Sequence, residues 1–212
     1  MNMKKNLILT GALVLATAAA QATIYDSGTQ SSGSIVPDNS ASGLTSTYSF
    51  ATGDNNTING VSVTLDITGG YNGDLYGYLV NPNGNMAILL NRVGQVGGNS
   101  GYGNAGMNVT LTDFSAQNSI QTYQSSSPVY VGGQLTGSWA PAGDFTALHN
   151  GGVDGQWTLF LADLSAGDQS TLVSWDLSIS VVPEPVTWAL MIFGGVLGAV
   201  GLARWRAARV AA

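Results

Sequence analysis

Between Val61 and Ile67 the chain reads VSVTLDI, and from Thr171 to Ser180 it reads TLVSWDLSIS: apolar residues at every second position, polar ones between. In an extended chain that period places Val61, Val63, Leu65 and Ile67 on one face and Ser62, Thr64 and Asp66 on the other. The later stretch separates Val173, Trp175, Leu177 and Ile179 from Ser174, Asp176, Ser178 and Ser180 in the same way. Both demand a sheet packed on one side and wet on the other. No segment between Thr23 and Val182 sustains a helical period, so this span reads as β throughout. Strands are predicted at 45–50, 57–68, 74–80, 87–91, 107–112, 129–131, 156–162 and 171–180. Asn59-Gly60, Asn72-Gly73, Asn83-Gly84, Asn150-Gly151 and Asp154-Gly155 punctuate them as turns. About eight short antiparallel strands predict an all-β sandwich or jelly roll.

Charge placement limits what such a domain can bind. Eleven aspartates and a single cation, Arg92, lie between Thr23 and Val182, a net charge of −10. Nucleic acid needs clustered Lys and Arg to release its counterions, so DNA and RNA are excluded as partners. The absence of cysteine removes both a disulfide framework and thiolate metal ligands. A span of about 160 residues is large enough to stand on its hydrophobic core alone.

The remaining basic residues sit at the ends. Lys4 and Lys5 precede a short apolar, alanine-rich stretch, and Ala20-Gln21-Ala22 offers small residues at the positions a signal peptidase reads. Residues 1–22 are therefore expected to be a signal peptide, cut between Ala22 and Thr23. At the other end, 186–203 is a charge-free run of 18 residues, about 27 Å as a helix against a hydrocarbon core of about 30 Å. Trp188 and Trp205 fall near its two ends, and Arg204, Arg206 and Arg209 follow as a cytoplasmic topology signal. One C-terminal transmembrane helix is expected, with the acidic middle exported.

Val182-Pro183-Glu184-Pro185, an apolar helix and a terminal arginine cluster together resemble the PEP-CTERM sorting signal of Gram-negative bacteria, over residues 182–212. The resemblance implies an exosortase that removes the tail at the inner membrane, with the product passing to the cell surface or extracellular matrix, usually alongside exopolysaccharide. The two prolines keep that segment extended. A second resemblance covers 35–181 within a domain of 23–181. It is carried by Gly73-Asp74-Leu75, Asn81-Pro82-Asn83-Gly84, Gly155-Gln156-Trp157-Thr158-Leu159 leading to Asp163, and Leu172-Val173-Ser174-Trp175. These resemble the P domain (P/Homo B) of kexin-type and bacterial subtilisin-like proteases, which implies a jelly-roll sandwich of the galactose-binding-like class. Where that family often carries His-Thr ahead of Gly-Asp-Leu, this chain has Gly69-Gly70.

Candidate chemistry inside the domain is sparse. His149 is the only histidine, and no nucleophile elbow surrounds any serine, so it is expected to be exposed and non-catalytic. The run GQVGGNSGYGNAG at 94–106 precedes a strand and not a helix, and reads as a flexible surface loop and not a phosphate cradle. Trp157 and Trp175 read as core; Trp139, in a predicted loop beside Pro141, also reads as core before it reads as a platform for stacking on a sugar, and it is the residue on which the glycan-binding alternative rests. No cofactor is expected, with calcium the one cation worth testing, at Asp74, Asp113 and Asp163. Three functions follow: an exported non-catalytic surface or matrix protein, a P domain assisting a separately encoded subtilisin-like serine protease, or a glycan-binding module.

Overall fold

The computed structural model describes residues 21–114, 117–182 and 185–210. Eleven strands form two sheets: β1 (Thr23–Asp26), β2 (Gln30–Ile35), β3 (Ser40–Phe50), β4 (Thr57–Gly69), β5 (Leu75–Val80), β6 (Met86–Asn91), β7 (Met107–Thr112), β8 (Val129–Val131), β9 (Gln134–Trp139), β10 (Gly155–Asp163) and β11 (Ser170–Val182). The larger sheet runs β1-β11-β4-β7-β9-β8, with β2 also pairing with β11; the smaller runs β3-β10-β5-β6. Among the described residues one α-helix, α1 (Pro185–Val210), follows.

The expected sandwich is present, and its core forms where the alternation places it. Val61, Val63, Leu65 and Ile67 of β4 are fully buried, as are Leu177 and Ile179 of β11 and Leu75, Leu79, Trp157 and Leu161 of the opposite sheet. Each tryptophan that enters the core carries its indole N–H to a partner. Trp157 donates to the Val153 carbonyl at 2.9 Å and Trp175 to Ser46 Oγ at 2.9 Å, so neither indole N–H is left unsatisfied.

Three expectations need correction. Val173 does not share the inner face with Trp175: a β-bulge between Leu172 and Ser174 turns Leu172 inward and leaves Val173 37% exposed, since one extra residue reverses the side-chain parity beyond it. Asn59-Gly60 is not a hairpin turn; β4 runs through it, and the register against β11 shifts at that point. The strands are not all antiparallel, because β7 and β9 pair in parallel. The strands β1, β2 and β9 add to the eight expected from the sequence.

Candidate functional site

Asn72–Asp74 forms one buried turn of 3-10 helix that delivers the chain into β5. Glycine is needed at its centre, because a Cβ on Gly73 would run into the Ser100 carbonyl and the Tyr102 backbone. Those atoms belong to the glycine-rich run, which lies docked over the turn rather than free. The Gly73 N–H donates to the Tyr102 carbonyl at 2.9 Å and the Asn72 N–H to the Asn104 carbonyl at 3.0 Å. The Asn72 side chain donates to the Gly106 carbonyl at 3.0 Å, and Tyr71 Oη donates to the Gly101 carbonyl at 3.2 Å. Tyr123 completes this packing by donating to Asn104 Oδ1 at 2.9 Å, and burial pushes its phenol up to about 12.

Around the turn the one cation of the acidic domain meets its carboxylates. Arg92 holds φ at +50°, a region that side chains rarely adopt, while its N–H donates to the Leu75 carbonyl at 2.8 Å. Its guanidinium donates to Ser165 Oγ at 2.7 Å and lies 3.6 Å from Asp74 Oδ1, whose side chain is 13% exposed. Asp163, which ends β10 opposite Leu75, is fully buried. Its Oδ1 accepts the Ser165 N–H at 3.2 Å, and Oδ2 has no partner among the described residues. Burial raises the Asp163 carboxyl above its ordinary value, the charges of Asp74 and Asp38 add to the rise, and Arg92 opposes it. A polar cleft of about 360 Å³ opens over this cluster, lined in part by Tyr71, Asn99, Ser165 and Asp168.

The three aspartates expected around calcium do not converge. Asp74 and Asp163 are neighbours, but Asp74 faces Arg92, and Asp113 lies after β7, where Oδ1 accepts the Val61 N–H at 2.8 Å. Among the described residues no group of three metal-ligating side chains comes together. His149 is less free than its loop sequence implies. It ends a 3-10 turn at Thr146–His149, is 29% exposed, and places Nε2 at 2.7 Å from Asp113 Oδ2. The pair ties the loop after β7 to the 3-10 turn that His149 ends, and among the described residues no serine or threonine hydroxyl is hydrogen-bonded to His149. Trp139 takes the core side of its two readings, on a strand and not in a loop: it closes β9, is 6% exposed, and donates to the Thr136 carbonyl at 3.2 Å. An indole so buried presents no face to a sugar.

The end residues fall as follows. Ala22 is exposed just ahead of β1, which Thr23 opens opposite Val181. Val182 is the last residue of β11, Pro183 and Glu184 lie outside the described residues, and Pro185 opens α1. The helix runs past the expected end at Ala203, through Arg204, Arg206 and Arg209, all exposed, with the Arg209 guanidinium 3.9 Å from the Trp205 ring centre. Among the described residues no helix is long and apolar enough to cross a membrane. The side chains of residues 185–190, where the charge-free run begins, lie outside them.

The family profile of the proprotein convertase P-domain matches residues 58–179, from the first core residue of β4 to the inward Ile179 of β11. The chain belongs to the proprotein convertase P-domain family. P domains are non-catalytic accessory domains of proteases. Among solved structures, the P domain here is similar to a serine protease of Aeromonas sobria. In its complex with a chaperone the identity is 18% and the TM-score 0.45, covering 76% of this chain and 28% of that one. For the protease crystallised by itself, the values are 18%, 0.42, 75% and 27%. The chain thus spans little more than a quarter of the length of these proteases. No curated protein matches the chain significantly.

Proposed function

We propose that this P domain is an exported, non-catalytic surface or extracellular-matrix protein, carried past the inner membrane by two removable hydrophobic segments. The observation that carries this reading is the strand register at the domain's ends. Thr23, the residue after the expected signal-peptidase cut, pairs with Val181, and Val182, the first residue of the sorting motif, pairs with Thr57. Every described strand of the sandwich lies between the two proposed cuts. Thr23 and Val181 pair directly, so the two proposed cuts fall on neighbouring strand ends.

In this reading the charge-free run 186–203 is a temporary transmembrane helix, and Arg204, Arg206 and Arg209 stay on the cytoplasmic side. Exosortase acts at Val182-Pro183-Glu184-Pro185, and the acidic domain continues to the cell surface or matrix, where exopolysaccharide is its neighbour. The test is the intact mass of the extracellular form. The expected mass begins at Thr23 and lacks the apolar helix and the arginines. Recovery of full-length protein alone, all of it in the inner membrane, would overturn the processing scheme. Family membership favours a second reading, in which the domain assists a separately encoded subtilisin-like protease in trans; co-purification of such a protease from the exported fraction would support it.

A further inference from the structure

The outer face of the β3-β10-β5-β6 sheet carries aromatic side chains where water would ordinarily favour polar ones. Phe160 of β10 stands directly opposite Tyr78 of β5, and their rings stack at 4.6 Å between centroids and 16° between planes. Tyr76, two residues along the same face, meets Tyr78 edge-on at 6.1 Å. Its cross-strand partner is Ala162, and this small residue leaves a notch between Tyr76 and the stacked pair. The resulting cleft of about 440 Å³ is lined by seven residues, Asn91 and Leu164 among them, and not one is charged. The wall is built to hold its shape: Phe160 lies over Gly43, where any Cβ would strike both its ring and the Leu161 carbonyl.

We propose that this cleft binds an uncharged glycan, with a sugar ring seated against the aromatic wall. A pyranose has apolar C–H faces and a rim of hydroxyls, and the cleft offers the complement of both. Tyr76 Oη, Tyr78 Oη and the Asn91 side-chain amide make no hydrogen bond within the described structure, leaving hydroxyl and amide groups uncommitted beside the rings. Charge selects among ligands. The domain carries −10 overall and repels anionic polymers, while the cleft has no carboxylate to hold a cationic one. The inference goes beyond the proposed function and does not depend on either cut, so it stands or falls separately from processing.

The test is affinity electrophoresis of the full chain in uncharged detergent, through gels containing a neutral glucan, a galactomannan or a xylan, with alginate as the anionic comparator. At least one neutral polymer is expected to retard the protein and alginate is not. Tyr78→Ala and Phe160→Ala should each weaken binding about tenfold or more, as loss of an aromatic anchor does. Asn91→Ala, an exposed position that leaves the fold untouched, should weaken it less. Tyr78→Phe keeps the ring and should retain most of the retardation, and Ser174→Ala on the other sheet should retain all of it. Three outcomes would overturn the proposal: no retardation by any neutral polymer, retardation by alginate alone, or equal retardation of wild type, Tyr78→Ala and Phe160→Ala.

Discussion

The two sheets have like interiors and unlike exteriors. On the larger sheet the outward residues of β4, of β7 and of β11 from Ser174 to Ser180 are serine, threonine, asparagine and aspartate, with Val173 at the bulge the exception; Thr64 and Thr110 even join hydroxyls across the ladder at 3.0 Å. On the smaller sheet the corresponding positions of β5 and β10 hold Tyr76, Tyr78 and Phe160. Inward, both sheets present the same aliphatic and tryptophan residues. Packing leaves an inner face little choice, since a close-packed core tolerates neither polar groups nor voids. An outer face is free, so its residue types report what the domain meets rather than how it folds.

The sharpest way to break that contrast is to remove one large ring from each side. Trp175→Ala, in the core, is expected to cost about 3–5 kcal/mol in denaturant unfolding. Tyr78→Ala, on the outer face, should cost about 1 kcal/mol, chiefly its stacked pair with Phe160. If the two variants lost similar stability, the aromatic face would be a second core, and a ligand would not be needed to explain it.

The next test sharpens where inside ends and outside begins. At the bulge in β11, Leu172 is fully buried while Val173 is 37% exposed. Leu172→Ala is expected to lose about 2–5 kcal/mol, and Val173→Ser no more than about 0.5 kcal/mol. The simple alternation of the sequence gives the reverse order, so denaturation midpoints of the two variants decide between them.

That bulge also shows which parts of the fold are legible in the sequence. The strands β4 and β11 are long and central, with one face packed and one wet, so their period of two is nearly unbroken. The strand β1 is four residues long, β2 reads QSSGSI, and β9 reads QLTGSW with Gly137 interrupting it. Short segments at or beside the ladder edges carry little apolar pattern to detect. The buried turn is legible through Gly73-Asp74-Leu75 and Asp163, because close backbone approach requires that glycine. The role of Arg92 is not, since its partners come from β5 and from the loop after β10; its one signal is that it is the lone cation of an acidic span. The aromatic cleft is half legible. Tyr76 and Tyr78 alternate within LYGYLV, but only the cross-strand register brings Phe160 against them.

The smallest expected effect concerns the one ionisable group that intrudes on an inner face. Asp163 shares the inward parity of Trp157, Leu159 and Leu161, is fully buried, and has a carboxyl raised above 3.8, mainly by burial. A raised carboxyl binds its proton more tightly in the folded state than in the unfolded one. Its stabilising contribution is complete below 3.8 and is lost as pH climbs through the raised folded value. At neutral pH the ionised group is a burden that the Ser165 N–H and Arg92 only partly relieve. Asp163→Asn keeps an oxygen for the Ser165 N–H and removes the titration. Asp176, whose carboxyl burial also raises, titrates in both proteins, so thermal midpoints of the variant are expected to fall less with rising pH across the mildly acidic range than those of wild type, leaving the variant the more stable at pH 7. A wild-type midpoint that instead rose through that range would mean that Arg92 outweighs burial. The inner face of the smaller sheet would then tolerate a charge because it is paired, just as its outer face tolerates aromatic rings because, by this account, they are covered.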